Sequence, residues 1–358
     1  MKQLSQEPDN PSRLETVDEQ GEMLDLLGVS PGDGQKDLLL GRKFGNYQLE
    51  EVLGVGGMGT VYRAIHPALG KQVAIKVLSP EMADDRTALG RLIDEARAAA
   101  AIGHENIVEI FDFGETEDGI TYIAMELLIG ETLDARLKSK GRLSPEQAVG
   151  MANQICGALG AAHCQGIIHR DIKPQNIFIS KGPGGRDQVK VLDFGVAKLL
   201  DAAKRISPKT ATGAVVGSPF YMSPEQANGE PLDGRSDLFS LAAVLYQALS
   251  GSLPFSGKTF TEVLSNLATV PVKPMVDIAP DMEISPALDQ VILRALSKKP
   301  ASRQPDMETF AKELEAVVAG EVIEDANVSR QGSPVDMSTA ISVERGIGKG
   351  ENARTVNM

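Results

Sequence analysis

The chain has 358 residues, 42% hydrophobic and 24% charged, with a net charge of −13 and no tryptophan. That length allows two folded units or one bilobal domain with tails, and the acidic balance, with no basic stripe, excludes non-specific nucleic-acid binding. The opening "MKQLSQEPDN" has no apolar signal-peptide core, and the longest greasy run, Leu238 to Leu249, falls short of the roughly 20 residues a membrane helix needs, so a cytoplasmic protein without a membrane contact is expected.

Taken in chain order, residues 1–40 hold nine Asp and Glu against three Lys and Arg and read as an acidic, mostly disordered arm. Ser12 and Glu15 could form a capping box ahead of an apolar stripe of Leu14, Val17, Leu24 and Leu27. A short helix, docking on a partner or on the rest of the chain, is therefore the alternative. From Tyr47 to about Glu126 the apolar residues alternate or cluster in β-branched runs: "YQLEEVLG", "TVYRAI", "QVAIKVL", "IVEIFDFGET" and "ITYIAMEL". These are predicted strands of an antiparallel sheet, interrupted by one helical segment, "ALGRLIDEARAAAAIG". Between the first two strands, "LGVGGMGTVY" places Gly54, Gly56, Gly57 and Gly59 within six positions. Glycine inside a strand loses entropy and packs nothing. The run is either a flexible hairpin turn or a place where backbone must approach a ligand such as a phosphate.

At "SPEQAVGMANQICGALGAAHCQG" the pattern switches to helical period, with Ser144, Pro145 and Gln147 marking the start. The remainder to about Gly320 reads as mostly helical, with a small β insertion around "NIFIS" and "QVKVLDF". Cys156 and Cys164 fall on the first of these helices, about 12 Å apart at the helical rise and beyond disulfide reach. Both are expected to be reduced, buried packing residues. Residues 320–358 lose periodicity and read as a disordered tail.

A β-rich lobe followed by a helical one puts the expected site in the crevice between them. Three polar clusters stand in otherwise apolar surroundings. Lys76 in "VAIKVL" is costly mid-strand unless that face is exposed or a carboxylate pairs with it, and Glu95 in "LIDEARAAA" is the candidate partner. The string "HRDIKPQN" sets Asp171, Lys173 and Asn176 in a short non-helical segment. In "VLDFG", Asp193 ends a strand just before a glycine that allows an unusual backbone turn.

Together with the glycine run, these strings resemble the eukaryotic-like Ser/Thr protein kinases, and their bacterial members in particular. The resemblance covers about residues 45–318 and takes in "GSPFYMSPE", "SDLFSL" and Arg303. It implies an α+β, bilobal protein-kinase fold: a small antiparallel β-rich N-lobe over 41–127 and a larger helical C-lobe over 128–319. It also implies ATP with Mg²⁺, Mn²⁺ being a substitute, and protein substrates phosphorylated on Ser or Thr. In that scheme Leu53, Gly54, Gly56, Gly57 and Gly59 form a flap over the ATP phosphates. Lys76 holds the α- and β-phosphates and Glu95 keeps it extended. Asn176 and Asp193 are the metal ligands. Asp171 orients the substrate hydroxyl and accepts its proton, while Lys173 stabilises the transferring phosphoryl group; this Asp-x-Lys spacing resembles Ser/Thr-specific rather than Tyr-specific kinases. Adenine would lie between Val61 and Ala74 above and Phe178 below, with Met125 at the back and Glu126 to Leu128 as the hinge.

The same resemblance gives His163 and His169 packing and hydrogen-bonding roles. It makes Asp237 the anchor of the catalytic-loop backbone and Glu225 with Arg303 a buried pair. Ser218 would bridge Asp171 and Lys173. Thr210 and Thr212 would be autophosphorylated, in a transient homodimer, with Arg170 receiving a phosphate. Departures from the family pattern are Ser223 in place of Ala before Pro224-Glu225, Ser218 in place of Thr, and Ala99 where a larger residue is common. A catalytically idle kinase fold acting as a scaffold is the alternative. The presence of Lys76, Asp171 and Asp193 weighs against it.

Overall fold

The computed structural model describes residues 38–56, 59–79, 101–193 and 219–321. The acidic arm before Leu38, its capping box, Ala99 and the C-terminal tail after Glu321 lie outside the described residues, as does the helical segment of 88–103 up to Ala101. The alternating runs form strands because period-2 apolar residues can bury one face of a pleated sheet. They are β1 (Lys43–Phe44), β2 (Tyr47–Gly56), β3 (Gly59–His66), β4 (Lys71–Leu78), β5 (Ile110–Glu115) and β6 (Thr121–Glu126). All pairs are antiparallel, in the order β1-β2-β3-β4-β6-β5.

Register decides what each face carries. Val61 pairs with Lys76, Lys76 with Ile123 and Ala74 with Met125. Residues two apart share a face, so Val61, Ala74, Lys76, Ile123 and Met125 line one side. The other side holds Tyr62, Ala64, Val73, Ile75, Val77, Tyr122 and Ala124, which close a core with Phe44, Tyr47 and Leu49. Tyr122 meets Phe44 edge to face, with ring centroids 5.5 Å apart. One expected strand is shorter than its apolar run. Ile107 leaves the sheet to bridge Val191 in parallel, and Val108 N–H donates to Val191 O at 3.1 Å, so the strand begins only at Ile110.

A second sheet follows, ordered β7 (Gly130–Thr132), β8 (Ile177–Lys181) and β9 (Asp187–Val191). Between β7 and β8 lie α1 (Leu133–Lys140) and α2 (Pro145–Cys164). The start of α2 has a reciprocal cap: Gln147 N–H donates to Ser144 Oγ at 3.3 Å, and Ser144 N–H donates to Gln147 Oε1 at 3.0 Å. Ala148, Ala152, Ile155, Leu159 and Ala162 recur at spacings of three and four and are all fully buried. This stripe faces the centre of the helical lobe.

Cys156 lies on that buried side and burial pushes its thiol up to about 12, whereas Cys164 is exposed, contrary to the expectation for both. Eight residues advance a helix by 80° beyond two turns, which carries Cys164 off the buried face at the last helical position.

The remaining described helices are α3 (Pro224–Ala227), α4 (Gly234–Ser250), α5 (Phe260–Thr269), α6 (Met275–Ile278), α7 (Pro286–Ala295) and α8 (Met307–Val318). The greasy run of 238–249 is α4, the helix at the centre of this lobe. Leu238, Phe239, Leu241, Leu245 and Leu249 are wholly buried, each burial contributing about 1.5–3 kcal/mol. Asp233 caps its start, and Gly251 ends it in the left-handed region at φ +76°, where a Cβ would be strained. α2 packs against α4, α8 and β9, which ties the helical core to the strand leading into Asp193.

Candidate active site

The glycine-rich hairpin forms the edge of the face that carries Lys76. Gly59 sits at φ +137°, and a Cβ there would lie 1.9 Å from Val77 O. Only glycine lets β3 approach β4 this closely. Gly56 faces Gly59 across the ladder and Gly54 faces Val61; Gly57 lies outside the described residues. Leu53 and Ala74 are buried, and Val61, Met125, Glu126, Leu128 and Phe178 are half-buried. Phe178 stands on β8 between Thr132 and Lys190.

Lys76 is only 8% exposed, and its Nζ donates to Asp193 Oδ1 at 2.7 Å. The mid-strand lysine thus has a carboxylate partner, as desolvation of an ammonium demands. Glu95, the partner expected from the sequence, lies outside the described residues. Burial works to raise the Asp193 carboxyl. The ammonium of Lys76, its hydrogen bond, and the charge of Lys173 outweigh burial and hold it below the usual carboxylate range. Asp193 itself adopts φ +55°, a left-handed conformation that Asp tolerates better than most residues.

The segment 169–176 is stitched to its surroundings atom by atom. Asp237 is wholly buried on α4, where Oδ2 accepts from His169 N–H and Oδ1 from Arg170 N–H, both at 2.8 Å. Its Oδ2 also meets His163 Nε2 at 2.7 Å, and His169 Nε2 meets Leu192 O at 2.8 Å. Both histidines are thus bonded into the frame, away from the carboxylate of Asp171. That carboxylate accepts from Lys173 Nζ at 2.8 Å and from Asn176 Nδ2 at 3.0 Å on the same oxygen, Oδ2. Pro174 turns the chain into a single 3₁₀ turn, Pro174–Asn176, a local form the sequence did not signal.

Asn176 and Asp193 come together because Leu192 N–H donates to Asn176 O at 2.9 Å. With Nδ2 of Asn176 committed to Asp171, its Oδ1 is the pole left for a ligand. A carboxylate and an amide oxygen form a hard donor set that fits Mg²⁺ or Mn²⁺. Among the described residues no group of three or more His, Cys, Asp or Glu could hold a metal.

Glu225 and Arg303 form a bidentate pair, Nη1 to Oε1 at 2.7 Å and Nη2 to Oε2 at 2.8 Å, and Ser236 Oγ also donates to Oε1 at 2.7 Å. Ser218, Thr210 and Thr212 lie outside the described residues. Two contacts were not anticipated. Lys190 Nζ donates to Glu126 Oε1 at 2.6 Å, joining the end of β6 to β9. A mid-strand lysine in "QVKVL" is the same signal that marked Lys76. Gln226 Nε2 donates to Arg170 O at 2.7 Å, and nothing in the local pattern announced it.

Comparison with known proteins gives a consistent result. The family profile described as "Protein kinase domain" matches residues 47–314. Serine/threonine-protein kinase pkn3 of Myxococcus xanthus is 42% identical over 271 residues, covering 76% of this chain and 50% of that protein. Serine/threonine-protein kinase PknA of Mycobacterium tuberculosis is 41% identical over 280 residues, covering 77% of this chain and 62% of that protein. The chain therefore spans about half to three-fifths of the length of these relatives. Among solved structures, the Mycobacterium tuberculosis PknI kinase domain superposes with a TM-score of 0.62 at 29% identity, over 79% of this chain and all of that one. The two-faced sheet, the stitched loop and the matched span agree: this chain belongs to the protein kinase family and has its bilobal α+β fold.

Proposed function

We propose that the chain is an ATP-dependent protein serine/threonine kinase. The observation that carries this reading is the convergence of Lys173 and Asn176 on one oxygen of Asp171, beside the Lys76–Asp193 pair. Phosphoryl transfer asks for positioning and charge neutralisation more than covalent chemistry, and these five side chains would supply both. The face bearing Val61, Ala74 and Met125, with Leu53 and Phe178, would hold adenine, and the hinge backbone at Glu126 and Leu128 would read its edge. Lys76 would hold the α- and β-phosphates. Asn176 Oδ1 and Asp193 would hold Mg²⁺, which when bound neutralises charge on the phosphates. In the reaction the substrate hydroxyl oxygen bonds to the γ-phosphorus as the bridging bond to ADP breaks, and the hydroxyl proton passes to Asp171. Lys173 balances charge on the transferring group.

Lys173 two residues after Asp171 favours Ser/Thr over Tyr acceptors, as do the relatives described above. We extend the proposal to Ser218 as a further hydroxyl against Asp171 and Lys173. Thr210 and Thr212 would be autophosphorylation sites, formed in a transient homodimer, whose phosphate Arg170 receives. Among the described residues no helix is long and apolar enough to cross a membrane.

The test is transfer of labelled phosphate from ATP with Mg²⁺ to the chain itself, to a generic protein and to small alcohols. Label on Ser and Thr of protein is expected, with Asp171→Asn slower by at least about 10²-fold and still folded. Label on small alcohols alone would overturn the protein-kinase reading. No transfer at all would leave the idle scaffold standing, and near-wild-type turnover in Asp171→Asn would remove that residue from its role.

A further inference from the structure

Arg170 is one of two non-glycine residues with positive φ among the described residues, at +70°. Such a conformation is strained and persists only where its surroundings over-determine it. Here they do. The N–H of Arg170 is held by Asp237 Oδ1 at 2.8 Å. The next peptide plane, which joins Arg170 to Asp171, is held at both of its polar atoms. Its carbonyl accepts from Gln226 Nε2 at 2.7 Å, and its N–H donates to His169 Nδ1 at 3.2 Å. A peptide plane pinned at both ends sets the direction in which the Asp171 side chain leaves the backbone.

Gln226 is itself firmly seated. It lies on α3, whose cap residue Ser223 is wholly buried and accepts from Gln226 N–H at 3.3 Å. Its neighbour Glu225 is locked to Arg303 and Ser236. Adjacent residues on a helix point about 100° apart. One short helix can therefore fasten to the helical core through Glu225 and reach the catalytic loop through Gln226. α3 also follows directly on the turn Pro219–Tyr221, and Tyr221 OH is anchored at 2.6 Å to Gln247 of α4. The 219–227 segment and the backbone carrying the base are thus joined by one side-chain amide.

We propose that Gln226 is a positioning residue for Asp171: its amide pins the Arg170–Asp171 peptide and couples the base to the seating of the 219–227 segment. The inference rests on the kinase reading for the role of Asp171, while the clamp is a claim about backbone geometry.

The experiment uses the full chain with Gln226→Met, which keeps the side chain's length without a donor, and Gln226→Glu, whose carboxylate cannot donate to a carbonyl. Steady-state kinetics with ATP and a Ser/Thr peptide are read beside the melting midpoint and amide hydrogen exchange over residues 168–173. Misplacement of a reacting group by about 1 Å costs up to roughly 10²-fold, so kcat is expected to fall about 10–100-fold in both variants. The KM for ATP and for peptide should stay within about twofold, the midpoint should hold, and exchange over 168–173 should accelerate. A kcat within about twofold of wild type with unchanged exchange overturns the proposal, as does a loss confined to the KM of the peptide. If the wild type transfers no phosphate, the kinase reading fails. Exchange then still decides the clamp: acceleration in Gln226→Met supports it and unchanged exchange overturns it. Should Gln226→Met fail to fold, Gln226→Glu is read by the same criteria.

Discussion

At Lys76 and at Glu225 a charge is withdrawn from water and meets an opposite charge among the described residues, and each pairing has a measurable consequence. Lys76→Met removes the ammonium that faces Asp193. Phosphate alignment is expected to be lost with it, and transfer should fall by at least about 10²-fold in a labelled-ATP assay. Glu225 and Arg303 have side chains 4% and 0% exposed. Removing one member of such a pair strands the other, at a cost of about 3–5 kcal/mol, and Arg303→Met should show that loss in a denaturant titration.

The pair also makes stability depend on pH. Burial acts to raise the Glu225 carboxyl, but the hydrogen bonds from Arg303 and Ser236 and the guanidinium charge hold it below its ordinary value. The unfolded chain therefore binds more protons than the folded one in that window, and stability rises with pH. The contribution is complete above the unfolded value of about 4.3 and is lost as pH falls through the lower folded value. Midpoints measured from about pH 6 to pH 3 should fall more steeply in wild type than in Glu225→Gln. Equal slopes would mean that other carboxylates govern acid unfolding.

Among the elements, α2 and the β2–β3 hairpin show local chemistry deciding local form. Ser144→Ala breaks the reciprocal cap of α2 and should cost about 1 kcal/mol. In a protein of this size that is a fall of about 2–4 °C in melting midpoint, with kinetics unchanged. Gly59→Ala is a different kind of change. A methyl group there meets Val77 O at 1.9 Å, so β3 must move away from β4 beside Lys76. ATP affinity should fall along with stability, read by calorimetry; unchanged affinity would separate the hairpin's closeness from nucleotide binding.

For the whole molecule, the described core runs from Leu38 to Glu321 in the chain, with both sheets and α1 to α8 inside it. A fragment of residues 41–320 is expected to retain the melting midpoint and kcat of the full chain, because the acidic arm and the tail have little apolar surface to bury. Lost stability or activity in that fragment would mean that the Leu14 to Leu27 stripe packs on the kinase. Regulation is expected through the segment that contains Thr210 and Thr212. Each phosphate adds about −1.5 to −2 charge, and Thr210→Ala/Thr212→Ala should be markedly less active. Mass spectrometry finding neither threonine modified in fully active protein would sink that mechanism.

Much of this was legible before any coordinates. The alternating runs specified β2, β3, β4 and β6, since period two and β-branching leave few other ways to bury those side chains. The Ser144–Gln147 pair marked the start of α2, because a cap is a contact between residues three apart. The polar strings at 169–176 and 191–195 were the candidate site by resemblance, and register then put Val61, Ala74, Lys76 and Met125 on one face. What stayed hidden depended on contacts between distant residues. The apolar character of Ile107 did not reveal that it would leave its sheet for Val191. Cys164 shared a helix and a composition with Cys156, yet only the packing around α2 decided which of the two faces water. Lys76 needed either an exposed face or a carboxylate, and the pairing with Asp193, 117 residues away, was made by the fold. Local pattern selects the elements because its energies act over three or four residues; partners across the cleft are chosen only when the closed fold brings them within reach.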